Sequence, residues 1–180
     1  MASTLYPPAA VARYNGVART LHWAIALAIL FNLFTGIFGE SFEDVWASMP
    51  SHKATGLLIL VLSIARIGWR LLWKRPDYPA GFSAFQRKVA AATHGTFYLL
   101  MLILPVTGWI FSSAGKYPLS FYGLFAIPKL PFTKGMAIVD AAHETHELLG
   151  YGFAALVVLH IAAAVYHQWV LKDGTLQRML

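Results

Sequence analysis

The stretch HETHELLGYGFAALVVLHIAAAVYH, from His143 to His167, combines a long apolar run with four histidines. It carries no charged residue between Glu147 and Lys172, and a helix needs roughly 20 apolar residues to cross a bilayer. A histidine in hydrocarbon costs desolvation free energy unless both of its ring nitrogens are satisfied. The stretch therefore predicts a membrane helix that carries a functional site.

Composition supports the membrane interpretation for the whole chain. Of its 180 residues, 58% are hydrophobic and 12% are charged, whereas about a quarter of the residues in a soluble domain are charged. The absence of cysteine excludes disulfides, thiolate metal sites and cysteine nucleophiles. Any metal in this protein would therefore have to be held by histidine.

Four apolar segments predict a single all-α domain over residues 1–180, an integral membrane four-helix bundle. The spans cover about residues 21–38, 54–73, 89–111 and 146–171. Residues 112–142 are rich in proline, glycine and aromatic residues and predict an outer cap folded onto the bundle. No small-residue cleavage site follows the first segment, which favours a retained helix over a cleaved signal.

The distribution of basic residues predicts the orientation of the bundle. With four spans, one side holds Lys53, Lys116, Lys129 and Lys134, which leaves ten of the 14 lysines and arginines on the side of the termini. Because basic residues favour the cytoplasmic side, both termini are predicted to be cytoplasmic. The net charge of +6 is then a signal of topology, and nucleic acid is not expected as a partner.

Four histidines form two pairs by depth in the predicted bundle. His146 and His160 are 14 residues apart on the fourth helix, which separates them by about 21 Å in height and about 40° in direction. His52 opens the second helix at the level of His146, and His22 opens the first helix near the level of His160. The expected pairs are His52 with His146 and His22 with His160.

Facing imidazoles in apolar surroundings are what a low-spin b-type haem requires, since its iron takes one nitrogen from each face. We therefore expect a bundle that binds two haem b groups, one near each membrane surface, and carries electrons across the membrane. Small residues would let the flat macrocycle lie between helices; those available include Gly36, Gly56, Gly95, Gly150 and Gly152.

Other histidines have simpler interpretations. His94 and His143 are expected to hydrogen-bond a neighbouring helix. The motif HETHE resembles a zinc protease site, but H-E-x-x-H requires histidine at position 147, which is glutamate. His143 and His146 could bind zinc from one helix face, although no third ligand is evident nearby.

The segments TLHWAIALAI, SHKATGLLILVLSIARIGWRL, YLLMLILPVTGW and HELLGYGFAALVVLHIAAAVYHQWVLKDGTLQRML occur in this order. They resemble the bacterial dihaem cytochrome b-561 family, and within it the short four-helix superoxide oxidases, over nearly the whole chain from Arg13. The resemblance implies that His22, His52, His146 and His160 are the axial haem ligands. It also implies oxidation of superoxide at the periplasmic face of the bacterial inner membrane. Ubiquinone would be reduced near the cytoplasmic face, at a site close to His167. The alternative for His167 is that it only anchors the helix at the membrane interface.

A small anion such as superoxide needs local positive charge to reach a buried haem edge. Lys53 directly follows His52 in the sequence, and Lys116 and Lys134 could line the same opening. The alternative is that these lysines pair with Glu144, Glu147 or Asp140 or bind haem propionates only, and for Lys129 that is the preferred interpretation.

Two functions follow from the sequence. The first is a superoxide:quinone oxidoreductase that needs membrane lipid, quinone and superoxide but no protein partner. The alternative is a cytochrome b subunit that links a partner dehydrogenase or hydrogenase to the quinone pool.

Overall fold

The computed structural model describes residues 12–42, 48–79 and 81–180. Its long helices are α1 (Gly16–Phe38), α2 (Ser48–Leu72), α3 (Ala84–Ser113) and α4 (Ala137–Tyr166). A single π-helical turn (His167–Leu171) extends α4. All four helices are long and apolar enough to cross a membrane, which confirms the predicted all-helical membrane fold.

All four helices begin before the predicted apolar segments, and capping side chains start two of them in polar sequence. The Asn15 side chain accepts a hydrogen bond from the Ala18 N–H at 2.9 Å and begins α1. α3 begins with a reciprocal capping box between Ser83 and Gln86. α4 already begins at Ala137, so residues 137–142, assigned to the cap from the sequence, are helical.

The rest of the cap contains a short antiparallel hairpin of β1 (Leu119–Phe121) and β2 (Phe125–Ile127). Tyr122, at the turn, has a left-handed φ of 48°. The Thr55 hydroxyl donates to the Ser51 carbonyl, so the Tyr122 hydroxyl is the donor in its 2.6 Å bond to Thr55. This bond joins the hairpin to the first turns of α2. We call this end of the bundle the hairpin end.

The opposite end, which we call the termini end, brings the two ends of the described chain together. The Arg178 carbonyl accepts from the Tyr14 N–H at 3.0 Å, and the Trp23 indole N–H donates to the Met179 carbonyl at 2.9 Å. Arg178 is buried and its Nε donates to the Ala12 carbonyl at 3.1 Å. Residues from the start and the end of the chain thus pack on one side of the bundle.

The apolar core is narrow and lies on the bundle axis. It is formed by Ile25, Ile29, Ile59, Leu100, Met101, Leu104 and Phe153. Other large apolar side chains point outward, such as Leu27 and Leu159, each 66% exposed, as expected for a surface that faces lipid. Sequential helices pack closely, whereas within the described residues α4 makes no comparable backbone contact with α1 or α2. The backbone of α4 therefore approaches α3 more closely than it approaches α1 or α2.

Candidate functional site

At the hairpin end, the rings of His52 on α2 and His146 on α4 face each other between two helices whose backbones are not in close contact. Their centroids are 6.0 Å apart and their planes are inclined by 79°. Both side chains are partly buried. The structure thus brings together the two histidines that the sequence paired at this level.

Each of these rings is held by a neighbouring helix through its Nδ1 atom. Nδ1 of His52 lies 3.0 Å from the Asn32 carbonyl oxygen of α1, and Nδ1 of His146 lies 2.9 Å from the Leu104 carbonyl oxygen of α3. A carbonyl only accepts, so Nδ1 is the donor in both rings. The Nε2 lone pair of each imidazole is consequently available to a metal.

At the termini end, His22 on α1 lies opposite His160 on α4, with ring centroids 6.4 Å apart and planes inclined by 77°. A third histidine, His94 on α3, lies 6.3 Å from His160. The Phe97 ring packs edge-on against His160 at 5.1 Å. The two predicted histidines are therefore adjacent, and His94, which was expected only to hydrogen-bond a neighbouring helix, lies next to His160.

These distances fit a metal held between two imidazoles. With metal–nitrogen bonds of about 2 Å and each ring centre roughly 1 Å behind its nitrogen, the two centroids are about 6 Å apart. The observed 6.0 and 6.4 Å agree with this spacing. A flat macrocycle also needs a gap between helices, and both pairs join α4 to helices whose backbones it does not approach as closely as that of α3. The donor set and the space thus fit haem b at both ends.

Several residues of the site were not identified from the sequence. Thr35 and Thr107 place their hydroxyl oxygens 3.3 Å from Nδ1 of His52 and His146, respectively. Gly108 faces His146 as Gly36 faces His52: a Cβ at either glycine would lie 3.1 or 2.8 Å from the ring. Thr-Gly recurs in FTGIF and VTGWI, but it also occurs as Thr55-Gly56 in ATGLL, so the dipeptide alone does not mark these residues.

A second polar arrangement lies where α4 ends. Nδ1 of His167 is 2.5 Å from Oδ2 of Asp173, and the Phe82 ring stacks on His167 at 5.4 Å. Burial by itself would raise the pKa of Asp173, but hydrogen bonds from Thr175 and His167 outweigh it and hold that pKa below its usual value. His167 is therefore oriented by a carboxylate, a partner that the sequence analysis did not name.

The predicted lysines do not all share one opening. Lys53 lines a cavity at the hairpin end with Tyr117 and Tyr122, whereas Lys116 and Lys134 are not among its lining residues. Neither of the latter forms an ion pair with a described carboxylate. Lys129 donates instead to the Gly115 carbonyl at 2.5 Å, which differs from the carboxylate pairing expected for it.

The zinc alternative gains no support from the described residues, where no three potential ligands come together. His143 packs its ring edge-on against Phe111 at 5.0 Å. A different cleft, at the termini end, is lined by Arg66, Arg70 and Arg75 together with His94 and Tyr98. This cleft is basic, in keeping with the excess of positive charge on the side of the termini.

A membrane-spanning helical bundle with facing histidine pairs near both ends is the architecture of a transmembrane electron-transfer cytochrome. Comparison with known sequences leads to the same class. The family described as prokaryotic cytochrome b561 matches residues 13–180. The chain belongs to this family, whose members bind b-type haem and transfer electrons across membranes.

Individual relatives are similar over nearly their full length. Cytochrome b561 homolog 2 of Escherichia coli is 30% identical, with 93% of this chain and 91% of that protein covered. Cytochrome b562 of Cereibacter sphaeroides is 31% identical, with 93% and 94% covered. A protein of Yersinia pestis named probable superoxide oxidase CybB is 29% identical, with 93% and 96% covered.

Proposed function

We propose that this protein oxidises superoxide at the periplasmic face of the bacterial inner membrane and reduces ubiquinone near the cytoplasmic face. The observation that carries the proposal is the pair of facing histidines near each end of one chain, joined by α4. His52 with His146, and His22 with His160, would hold two haem b groups. Haem iron bound in this way supplies reversible one-electron transfer.

The overall reaction balances without a further reactant. Each superoxide is oxidised to dioxygen and gives up one electron. Ubiquinone takes up two electrons and two protons to become ubiquinol, so two superoxide anions are consumed for each quinone. The chain itself must therefore admit an anion at one end and deliver protons at the other.

The proposed orientation has the hairpin end in the periplasm and both termini in the cytoplasm, as the positive-inside rule favours. Lys53 lines the cavity at the hairpin end and follows His52 directly. Its positive charge would attract superoxide into that cavity. Lys116 and Lys134 would act from the surrounding surface, at longer range.

The quinone site would lie beside His167 at the cytoplasmic end of α4. The buried ring of Phe82, which also stacks on Tyr78, packs against His167 and supports the orientation of its imidazole. Asp173 accepts from Nδ1 of His167, which leaves Nε2 to exchange a proton with a quinone oxygen.

The test is to supply the purified protein, in detergent and without any partner, with superoxide from an enzymatic source. Haem absorbance and ubiquinol formation are followed together, and superoxide dismutase serves as the control that removes the donor. We expect haem reduction and quinol formation that both stop when dismutase is added. Failure of superoxide to reduce the haem would instead favour the alternative, an electron-transfer subunit for a partner dehydrogenase or hydrogenase. That alternative draws on relatives named only as cytochromes.

A further inference from the structure

The two histidines at the hairpin end are held in the same way by two different helices. On α1, the Asn32 carbonyl, the Thr35 hydroxyl and Gly36 surround His52. On α3, the Leu104 carbonyl, the Thr107 hydroxyl and Gly108 surround His146. Carbonyl, threonine and glycine follow at positions i, i+3 and i+4 in both helices. We call each set of three a Thr-Gly cradle.

The threonine hydroxyl can only accept a hydrogen bond from the histidine in each cradle. The single proton of the Thr35 hydroxyl is directed at the carbonyls of Phe31 and Asn32, both at 3.1 Å. The proton of the Thr107 hydroxyl is directed at the carbonyls of Ile103 and Leu104, at 3.0 and 2.9 Å. What each hydroxyl offers to the imidazole is therefore a lone pair.

Both neighbours of each Nδ1 are thus acceptors, and the proton of the ring must reside on Nδ1. Sharing of that proton with two oxygens increases the electron density on the ring and makes its Nε2 a stronger donor to a metal. A stronger nitrogen donor favours the oxidised state of a bound iron.

The histidines at the termini end are held differently. No hydrogen bond to the ring of His22 or His160 occurs among the residues that the structure describes. Arg66 brings positive charge to this end, because its guanidinium donates to the Ala18 carbonyl at 3.2 Å, one turn before His22. Three arginines, Arg66, Arg70 and Arg75, line the cleft here with His94, whereas Lys53 is the basic residue that lines the hairpin-end cavity. Greater positive charge favours the reduced state of a nearby iron.

We infer that Thr35 and Thr107 are positioning residues that fix the tautomer of His52 and His146 and lower the reduction potential at the hairpin end relative to the termini end. Electrons then run downhill from the hairpin end to the termini end. This inference rests on the proposed haem ligation by the same histidines, but concerns side chains that do not touch the iron.

The test is a redox titration of the purified haem-loaded protein, followed by its visible spectrum. Thr35→Val and Thr107→Val remove one acceptor from each Nδ1 and keep the shape of the side chain. At fixed ambient potential, we expect the reduced-to-oxidised ratio of the haem at the hairpin end to rise roughly threefold. A free-energy change smaller than that of one net hydrogen bond is enough for this shift. The other haem serves as the internal reference. Thr145→Val, an exposed threonine next to His146, is the matched control and should change neither.

Thr35→Ser and Thr107→Ser restore the hydroxyl and should return the titration to that of the wild type. Serine variants that behave like the valine variants, including any common loss of haem, would overturn the inference, because the hydroxyl would then not be the acting group. Unchanged potentials in both valine variants would overturn it as well. The ligation itself fails by another result, retention of both low-spin haems when His52 or His146 is replaced by alanine, so the two failures are distinguishable.

Discussion

Gly36→Ala should disrupt the cofactor site at the hairpin end. A Cβ at this position would lie 2.8 Å from Cε1 of His52, whereas carbon atoms pack at about 3.5 Å or more. The ring would have to move by about 0.7 Å, well beyond the roughly 0.2 Å to which metal–ligand distances are held. The same shift would stretch the 3.0 Å bond between Nδ1 and the Asn32 carbonyl beyond the usual hydrogen-bond range.

The equivalent change on α3 gives a graded comparison. In Gly108→Ala the new Cβ would lie 3.1 Å from Cε1 of His146, so the ring needs to move by only about 0.4 Å. Gly68→Ala is the control, because nothing lies within 4 Å of a Cβ there. In Gly36→Ala and Gly108→Ala, overpacking costs about 1–3 kcal/mol of stability. In Gly68→Ala, where there is no clash, alanine in place of glycine within a helix should stabilise by roughly 0.5–1 kcal/mol.

The assay is the optical and electron paramagnetic resonance spectrum of each purified variant, with haem content measured per protein. We expect Gly36→Ala to lose the low-spin signal of one haem, Gly108→Ala to weaken it, and Gly68→Ala to keep both. A Gly36→Ala variant with two low-spin haems and unchanged spectra would refute the proposed contact between α1 and the His52 ring.

Three further predictions address the two membrane surfaces. Haem reduction by superoxide should slow as ionic strength rises, since charge steering is screened over about 8 Å at physiological salt. At a given salt concentration, Lys53→Glu should reduce more slowly than the wild type, whereas Lys129→Glu should not. Equal rates in all of these conditions would exclude steering. His167→Ala should slow ubiquinol formation by at least about 100-fold, the usual contribution of a positioned acid or base. Haem reduction by superoxide should stay at the wild-type rate in this variant. Unchanged quinone reduction would exclude the role of His167. Because folding lowers the pKa of Asp173, the stabilisation from this carboxylate is complete above the unfolded pKa of about 3.9 and is lost as pH falls through the folded pKa. Between about pH 5 and pH 3, the wild type should therefore lose more thermal stability than Asp173→Asn. Equal losses in the two proteins would contradict this role of Asp173.

The sequence predicted the helices and the histidine pairs for simple reasons. Lipid requires long uncharged helices, and the spacing of 14 residues between His146 and His160 places both on nearly one face of α4. Partners at matching depth on α1 and α2 follow once the helices alternate in direction. His22 and His52 could therefore be paired with them before the structure was known.

The Thr-Gly cradles could not be predicted because they depend on how neighbouring helices pack. Gly36 was noted only as a small residue, and Gly108 was not noted at all. The principal acceptors are backbone carbonyls, which every residue carries, so no residue type marks Asn32 or Leu104 as partners of a histidine. The approach of His94 to His160 likewise depends on the rotation of α3, which hydropathy does not determine.

The polar ends of the helices also could not be predicted from hydropathy. Helical hydrogen bonding continues past the apolar segment wherever a cap such as Asn15 starts it earlier. The hairpin of β1 and β2 is only three residues long on each strand, too short for an alternating pattern to reveal it.

The haem content and spin state of single histidine-to-alanine variants test the paired ligation directly. We expect two low-spin haems per wild-type chain. We also expect loss of one haem, or its conversion to high spin, when any of His22, His52, His146 or His160 is replaced. His94→Ala and His143→Ala are the matched controls and should keep two low-spin haems. A His146→Ala variant that retains two low-spin haems would contradict the pairing on which the proposed function rests.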